Sequence, residues 1–254
     1  MSGSFGEWRL EALVAVGGLG EVWRARQDDT IAALKRLHTH LARNAEATRQ
    51  FAVEQLLTTT LPPHPNVVRG LAAGAVDERP YVVLELLGGT DLRRIAAPTP
   101  AIAAARILQI VGAACDGAAH LHAAGYIHGD ICPGNLMIDG DRVVLIDLGV
   151  ARRAGEAGAV RGTHAYMAPE QVRGESWTPA TDVFALGVVL WELAARARLF
   201  HRGPPWLTMA AVVEDDVPPL ADPALDAIVR AALAKNPAER TQSASELASS
   251  LRRV

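Results

Sequence analysis

The sequence has very few cysteines, very few lysines and no long apolar run. Its 254 residues include two cysteines, Cys115 and Cys132, so no disulfide framework is indicated and a reducing cytosol is the simplest compartment. The most apolar stretch, 183–193, contains Glu192 and is well short of the ~20 residues that span a bilayer. No basic segment followed by an apolar run opens the chain, so we expect no signal peptide. We therefore predict a cytoplasmic chain without a membrane segment, and a membrane anchor beyond Val254 stays an open alternative.

Charge and composition exclude further classes. The chain carries 25 basic and 28 acidic residues, a formal net charge of −3, which gives no reason to expect affinity for nucleic acid or for an anionic membrane. Apolar residues make up 50% and charged residues 21%, an ordinary globular balance that argues against a disordered chain. The length fits one large domain or two lobes that share an interface.

The scarcity of lysine draws attention to Lys35. Of the 25 basic residues only Lys35 and Lys235 are lysines, and a lysine retained in such a chain is a candidate for chemistry that needs an ammonium group. Alternation along the predicted strand places Ala33 and Lys35 on one face, where they could admit a flat base and hold phosphate oxygens. The alternative is a solvated strand lysine, which is the usual state of this residue.

Periodicity predicts a strand-rich first part of the chain and a helix-rich remainder. The predicted strands of the first part are 8–16, 21–26, 31–37, 67–75 and 81–87. Between them lies a helix at 44–60 that ends at a proline-rich segment, and Gly88-Gly89 is a natural hinge. The later predicted elements are helices at 101–124, 181–197, 226–234 and 243–252, and a hairpin of 136–138 with 143–146. The segment 147–170 lacks periodicity and predicts a mobile loop.

Two patterns in the first part carry candidate chemistry, and each has a structural alternative. The glycines of 14-VAVGGLGEV-22 let the backbone approach a ligand and present N–H groups to phosphates, although a glycine-tolerant hairpin is the commoner reason for such a motif taken alone. Glu54 shares the apolar face of its helix with Phe51 and Leu57, so its carboxylate needs a partner, and Lys35 is the candidate. The alternative is a Glu54 at the edge of the apolar face that reaches water.

Two further patterns follow in the second part. The loop 128-HGDICPGN-135 supplies Asp130 and Asn135, and Asp147 stands at the end of a predicted strand. Carboxylate and amide oxygens are hard ligands suited to Mg²⁺ beside phosphates, and a second carboxylate is able to accept a hydroxyl proton. Taken singly, His-Gly-Asp and Asp-Leu-Gly are common turn sequences.

The order and spacing of these patterns resemble the protein kinase family. Glycine loop, strand lysine, helix glutamate, His-x-Asp with an asparagine five residues later, Asp-x-Gly and finally 168-APE-170 follow one another as in that family. The resemblance covers nearly the whole chain and is nearest to bacterial serine/threonine kinases. It is carried by 64-HPNVV-68, 146-IDLGVAR-152, 162-GTHAYMAPEQ-171, 182-DVFALGVVLWEL-193 and 235-KNPAER-240.

The resemblance implies an α+β, two-lobed protein-kinase-like fold. Residues 1–87 would form an N-lobe, a small antiparallel β-sheet with one main helix. Residues 88–91 would be the hinge, and 92–254 a mostly helical C-lobe, together making one kinase domain. The implied function is ATP-dependent phosphoryl transfer to serine or threonine hydroxyls of protein substrates, with no nucleic-acid partner and no indication of oligomeric state.

The resemblance also implies ATP and Mg²⁺ as cofactors and assigns roles to individual residues. Lys35 would contact the α- and β-phosphates and pair with Glu54, Asp147 and Asn135 would bind Mg²⁺, and Asp130 would orient the substrate hydroxyl. The implied nucleotide-binding residues belong to the glycine loop, the adenine pocket and the hinge: Ala15, Gly17, Gly18, Gly20, Val22, Ala33, Lys35, Leu84, Glu85, Leu87 and Met137.

Within that set, Val22, Ala33 and Met137 would sandwich adenine, and the backbone of Glu85 and Leu87 would hydrogen-bond it. Leu84 would control access behind the adenine. Away from the nucleotide, the resemblance implies an ion pair of Glu170 with Arg240 and a brace from Asp182 to the backbone around His128. A surface ion pair and a helix cap are the alternatives for these residues.

The sequence departs from the family at several positions. In the first part, Ala15 replaces the first glycine, and Thr58 stands where an apolar residue usually stacks with Leu148, which itself replaces a phenylalanine. In the catalytic loop, Gly129 replaces the arginine before the aspartate, and Cys132 replaces a lysine that normally touches the γ-phosphate.

These departures leave two other functions open. Cys132, Gly129 and Ala15 would suit a pseudokinase, an ATP-binding regulatory module without transfer. The loop 128–135 also resembles small-molecule phosphotransferases related to aminoglycoside kinases, whereas 162–171 belongs to protein kinases and favours a protein substrate.

Regulation and the chemistry of Cys132 give further expectations. No Ser, Thr or Tyr lies between Asp147 and Gly162, so we predict no switching by activation-loop phosphorylation. For Cys132 three interpretations stand: a lost charge that Arg152, Arg153 or Arg161 could replace, a redox-sensitive thiol whose pKa nearby cations lower, or a small tolerated residue.

Overall fold

Alternating apolar and polar residues in the first part of the chain fold into an antiparallel sheet. The computed structural model describes residues 3–95, 102–158 and 160–254, which divide into two compact units. The first unit contains the described residues up to His64 together with Val68–Gly88 and Asp147–Gly149. The second contains Pro65–Val67, Gly89–Ile146 and the described residues from Val150 onwards. The predicted lobe boundaries at 87, 88–91 and 92 stay a prediction.

The sheet of the first unit has six strands in the order β1-β2-β3-β4-β6-β5, and every neighbouring pair is antiparallel. The strands are β1 Gly3–Phe5, β2 Trp8–Val16, β3 Gly20–Gln27, β4 Thr30–Leu37, β5 Gly70–Val76 and β6 Arg79–Glu85. One face buries an apolar cluster that includes Trp8, Ala32, Leu34 and Val83. Because strand residues alternate between faces, Ala33 and Lys35 lie on the face opposite to Leu34.

Helix α1, Ala45–Thr60, packs against β5 and β6. The Asn44 side chain caps its first turn by accepting a hydrogen bond from the backbone N–H of Ala47 at 2.9 Å. Phe51, Glu54 and Leu57 are all buried, so the predicted stripe with a carboxylate in it faces the interior of this unit.

The second unit is mostly helical. Its helices are α2 Leu92–Ile95, α3 Ala104–Ala123, α4 Pro169–Val172, α5 Pro179–Ala195, α6 Pro205–Glu214, α7 Pro223–Ala232 and α8 Ala244–Leu251. Helix α5 is apolar around nearly its whole circumference, and it is therefore buried against α3, α7 and α8. Short strands complete the unit: β7 Thr90–Asp91, β9 Leu136–Asp139 and β10 Arg142–Leu145 form one sheet, and β8 Tyr126–Ile127 pairs with β11 Arg152–Arg153.

Several elements differ from the sequence expectation. Helix α3 begins at Ala104, and Ala101, the predicted first residue, lies outside the described residues. The segment predicted as a mobile loop, 147–170, contains β11, a 3₁₀ turn at His164–Tyr166 and the first two residues of α4. The sequence did not predict strand β1, which has only three residues, or helix α6, which begins at a proline. Both give little periodic signal. Among the described residues, no helix is long and apolar enough to span a membrane.

Candidate active site

A cluster of three charged side chains lies in the first unit. Lys35 Nζ is 2.7 Å from Glu54 Oε1, 2.8 Å from Glu54 Oε2 and 2.7 Å from Asp147 Oδ1. Strand β4 supplies the lysine, α1 supplies the glutamate, and the segment after β10 supplies the aspartate. The structure thus brings together three of the residues that the sequence singled out.

Burial makes this cluster electrostatically strong. The Glu54 side chain is 1% exposed, that of Lys35 is 10% exposed, and that of Asp147 is 48% exposed. Burial alone would lower the pKa of Lys35, but the charges of Glu54 and Asp147 raise it above its ordinary value, so the ammonium form persists. The cluster therefore presents a fixed cation next to a half-exposed carboxylate.

The backbone at Asp147 has an unusual conformation. Its φ is +63°, in the left-handed region that aspartate tolerates better than most residues. The backbone N–H of Gly149 donates to Asp147 Oδ1 at 3.3 Å. A strained turn at a charged residue is typical of sites where side-chain direction matters.

The glycine segment after β2 forms a tight turn. Gly17 N–H donates to Gly20 O at 2.8 Å, and a ring nitrogen of His38, Nε2, lies 2.8 Å from Gly17 O. A Cβ on Gly20 would lie 2.2 Å from Arg36 O, so the close approach of β3 to β4 requires glycine there. A Cβ on Gly18 would meet nothing within 4 Å, so packing does not require glycine at this position.

The other predicted nucleotide residues of the first unit share one face of the sheet. Val22 pairs with both Ala15 and Lys35, and Ala33 pairs with Leu84. Directly paired residues of antiparallel strands point to the same side, so these five side chains lie on one surface. Glu85 ends β6, where its backbone N–H donates to Arg69 O at 2.9 Å, and Leu87 follows half-buried.

In the second unit, Asp130 is held on both carboxylate oxygens. Its Oδ1 accepts the backbone N–H of Thr163 at 2.7 Å, and its Oδ2 accepts Asn135 Nδ2 at 3.0 Å. Asn135 Nδ2 also donates to Asp130 O at 2.9 Å, which directs the amide oxygen of Asn135 to the opposite side. Met137 lies two residues further on β9, half-buried and paired with Asp91.

Asp182 braces the backbone just before Asp130. It is fully buried, and it accepts the backbone N–H groups of His128 and Gly129, each at 2.8 Å. His122 Nε2 lies 2.8 Å from Asp182 Oδ2. Burial opposes the charge of Asp182, but the contacts with His122, His128 and Gly129 hold its pKa below the ordinary value.

Arg240 and Glu170 form a buried ion pair. Arg240 Nη1 and Nη2 donate to the two oxygens of Glu170 at 2.7 and 2.9 Å, and their side chains are 0% and 2% exposed. Arg240 Nη1 also donates to Ala180 O at 2.7 Å. Such bidentate, fully bonded pairs fix the segments that carry them.

Comparison with known proteins identifies the family. A family model described as the protein kinase domain matches residues 8–250. The chain belongs to the protein kinase family. The predicted resemblance and the predicted α+β fold class are therefore confirmed.

Several curated bacterial kinases are similar to this chain over nearly its whole length. Serine/threonine-protein kinase PknB of Mycolicibacterium smegmatis is 36% identical, with 97% of this chain and 43% of the relative covered. PknB of Mycobacterium tuberculosis is 34% identical, with 97% and 42% covered, and pkn3 of Myxococcus xanthus is 31% identical, with 98% and 50% covered. The chain thus spans half or less of the length of these relatives.

One departure from the kinase pattern, Thr58, has a local structural explanation. Thr58 Oγ1 donates to Glu54 O at 2.7 Å, so the hydroxyl on this buried face is satisfied within α1. Leu148 is completely buried. The polar group at position 58 therefore leaves no unsatisfied donor beside the charged cluster.

Cys132 is a buried thiol in this kinase. It is 5% exposed, and Thr163 Oγ1 donates to its Sγ at 3.4 Å. Burial raises its pKa to about 11, and the charge of Asp130 acts in the same direction. Of the three interpretations of Cys132, the redox-sensitive thiol with a lowered pKa is not supported, because burial raises this pKa.

Sequence reasoning missed three residues that touch the site. His38 contacts the glycine segment, His122 contacts Asp182, and the backbone of Thr163 binds Asp130. The pairs they form are separated by 21, 60 and 33 positions. Local periodicity carries no signal for contacts at such separations.

Proposed function

We propose that this chain transfers the γ-phosphoryl group of ATP to serine or threonine hydroxyls of a protein. The observation that carries the proposal is the Lys35 ammonium held between the carboxylates of Glu54 and Asp147. The PknB relatives are serine/threonine-protein kinases, which supports serine and threonine hydroxyls as the class of acceptor.

Lys35 would hold phosphate oxygens of the nucleotide. Its charge is fixed by Glu54, which contacts it with both oxygens, so little reorganisation is needed when phosphates arrive. The surface formed by Ala15, Val22, Ala33 and Leu84 beside Lys35 would take the flat, apolar base. The small Ala33 leaves room for a ring there.

Asp130 would receive the acceptor hydroxyl. The donors on its two oxygens, Thr163 N–H and Asn135 Nδ2, fix the direction of the carboxylate. In the reaction, the hydroxyl oxygen forms a bond to the γ-phosphorus as the bond to the bridging oxygen of ADP breaks, and the hydroxyl proton passes to Asp130. The carboxylate therefore positions the acceptor and takes its proton.

Asp147 and Asn135 are the residues that would hold Mg²⁺. The half-exposed carboxylate and the amide oxygen that points away from Asp130 are hard donors of the type this ion prefers. Among the described residues, no group of three or more His, Cys, Asp or Glu side chains could bind a metal alone, so ATP phosphates and water would supply the remaining ligands. When bound, the ion neutralises charge on the phosphates.

The proposal is tested by incubating the purified chain with γ-labelled ATP and Mg²⁺, alone, with a generic basic protein, and with a metabolite extract. We expect label on protein. ATP binding without transfer would instead show a pseudokinase, and label only on metabolites would show a small-molecule kinase. Either of these results rejects the proposed function.

Phosphatase treatment of the purified chain is expected to leave its transfer rate unchanged. The segment between Asp147 and Gly162 has no hydroxyl side chain to phosphorylate. Gly129 also occupies the position of the arginine that, in the family, often pairs with a phosphate on this segment. The Tyr166 side chain that follows is buried and donates to Glu192. The measurement compares rates before and after treatment, and a large drop that maps to a phosphate on Thr163 would contradict the expectation.

Cys132→Ser is expected to keep kcat within about twofold of the wild type, since a serine oxygen still accepts the Thr163 hydroxyl. Cys132→Lys is expected to lower kcat about tenfold or more, because a long charged side chain in this buried position displaces the loop that holds Asp130. Peroxide should not inhibit the wild type, because a thiol with a pKa of about 11 is protonated at neutral pH. A kcat raised by lysine would show that a missing charge limits this kinase instead.

A further inference from the structure

Trp177 covers the glycine that precedes Asp130. Gly129 has a φ of +75°, and a Cβ built on it would lie 2.2 Å from Cζ3 and 2.9 Å from Cε3 of Trp177. The tryptophan is completely buried. Its six-membered ring therefore occupies the space into which any side chain at position 129 would have to project.

The other groups around Gly129 complete an enclosure. Its N–H donates to Asp182 Oδ1 at 2.8 Å, and its carbonyl accepts Gln171 Nε2 at 2.8 Å. With Trp177 against its Cα, the residue is fixed by two hydrogen bonds and one ring contact. The direction of the next residue, Asp130, follows from that arrangement.

Arg152 joins the same tryptophan to the segment after Asp147. Its guanidinium carbon lies 3.7 Å from the centre of the Trp177 ring, the distance of a stacked cation–π contact. A Cβ on Gly158 would overlap Arg152 Nη1, so the backbone at Gly158 passes directly over the guanidinium group. Arg152 is thus enclosed between the ring and the chain.

Backbone bonds hold this segment to Trp177 as well. Gly155 N–H donates to Trp177 O at 2.8 Å, and Trp177 N–H donates to Glu156 O at 3.1 Å. An isolated antiparallel bridge pairs Ala157 with Ser176. All of these contacts are made by backbone atoms, so none of them needs a phosphate group.

We propose that Trp177 and Arg152 are positioning residues that hold Asp130 and the segment 150–158 in place without a phosphate group. The proposal rests on the proposed function of Asp130. The Trp177 ring fixes Gly129, the stacked Arg152 fixes the segment, and both meet on one buried side chain. The Trp177 contact also explains the absence of a side chain at position 129.

The test compares single substitutions in the unphosphorylated full chain. Arg152→Ala and Trp177→Leu are expected to lower kcat about tenfold to 10²-fold, because the loop holding Asp130 shifts, with the KM for ATP changed less than about twofold. Trp177→Phe should restore most of kcat, since it keeps a flat ring. Within the described residues Trp177 Nε1 has no hydrogen-bond partner, so phenylalanine loses no such bond.

Two matched controls separate positioning from stability. Arg153→Ala removes the neighbouring arginine of β11, which lies 5.3 Å from the Tyr126 ring, and should keep wild-type kcat. Trp191→Leu removes another buried tryptophan of the same unit and should lower the Tm without lowering kcat in the folded protein. Wild-type kcat in Arg152→Ala overturns the proposal, and so does a loss of kcat in Arg153→Ala equal to that in Arg152→Ala.

A second readout does not depend on activity. Endoproteinase Glu-C should cleave after Glu156 faster in Arg152→Ala than in Arg153→Ala, because the segment is released from the ring. If the wild type transfers no phosphoryl group, the proposed function fails, and this comparison alone decides the positioning proposal. Equal cleavage rates would then overturn it. If Trp177→Leu fails to fold, Arg152→Ala and Trp177→Phe carry the same test.

Discussion

Lys35→Met is expected to lower the rate of phosphoryl transfer by about 10³-fold or more, the scale seen when a preorganised charged group is removed from a transition state. The substitution removes the cation from between Glu54 and Asp147 and leaves two carboxylates close together, one of them buried. Their repulsion would disturb the cluster as well as the phosphate contact. Steady-state kcat and kcat/KM for ATP with a basic protein acceptor measure the effect.

The chain offers a matched control for this change. Lys235→Met makes the same chemical substitution at the other lysine, whose Nζ donates to Val212 O at 2.6 Å in the second unit and lies 4.3 Å from the Phe200 ring. We expect its transfer rate in the folded protein to stay near that of the wild type. If Lys35→Met retained wild-type transfer, the assignment of the nucleotide phosphates to this cluster would be wrong.

Asp130→Asn is expected to lower kcat by about 10²- to 10⁴-fold, the range of a general acid–base contribution. Asparagine keeps the size of the side chain, but it turns one acceptor oxygen into a donor. That donor would face either Thr163 N–H or Asn135 Nδ2, which are donors themselves. Binding of ATP should be retained, because Lys35 and its carboxylates are unchanged.

Asp141→Asn is the control for this prediction. The Asp141 side chain is fully exposed in the turn between β9 and β10, so the same chemical change there should leave kcat at the wild-type value. Isothermal titration with an ATP analogue gives the binding affinity separately from the rate. A variant Asp130→Asn that transfers at the wild-type rate would contradict the role given to this carboxylate.

The sequence identified candidate site residues where a residue type is unusual for its position. Glu54 lies on an apolar stripe and Lys35 is one of two lysines, so each needed an explanation, and their contact supplies one. Helix α1 and the main strands were predictable because their apolar residues recur at the spacing of one buried face. The family resemblance rested on motif order, which survives the substitutions at Ala15, Gly129 and Cys132.

Features that depend on distant packing were not predictable. Burial raises the pKa of Cys132, and the loop sequence does not reveal that burial, so the sequence left a thiol with a lowered pKa open as one interpretation. Strands β8 and β11 have two residues each and show no alternation to detect. Trp177 gave no signal because one tryptophan in an irregular segment has no period, although its contact explains Gly129.

Identification of the phosphorylated residue in a single turnover tests the central claim most directly. The chain is mixed with Mg²⁺, a basic protein and γ-labelled ATP, with the chain in excess over the ATP. The reaction is then quenched, the protein is hydrolysed in acid, and the labelled amino acids are separated. We predict label on phosphoserine or phosphothreonine from the wild type and none above background from Lys35→Met. Bound ATP that remains unhydrolysed, or label that appears only as inorganic phosphate or on small molecules, would contradict the account.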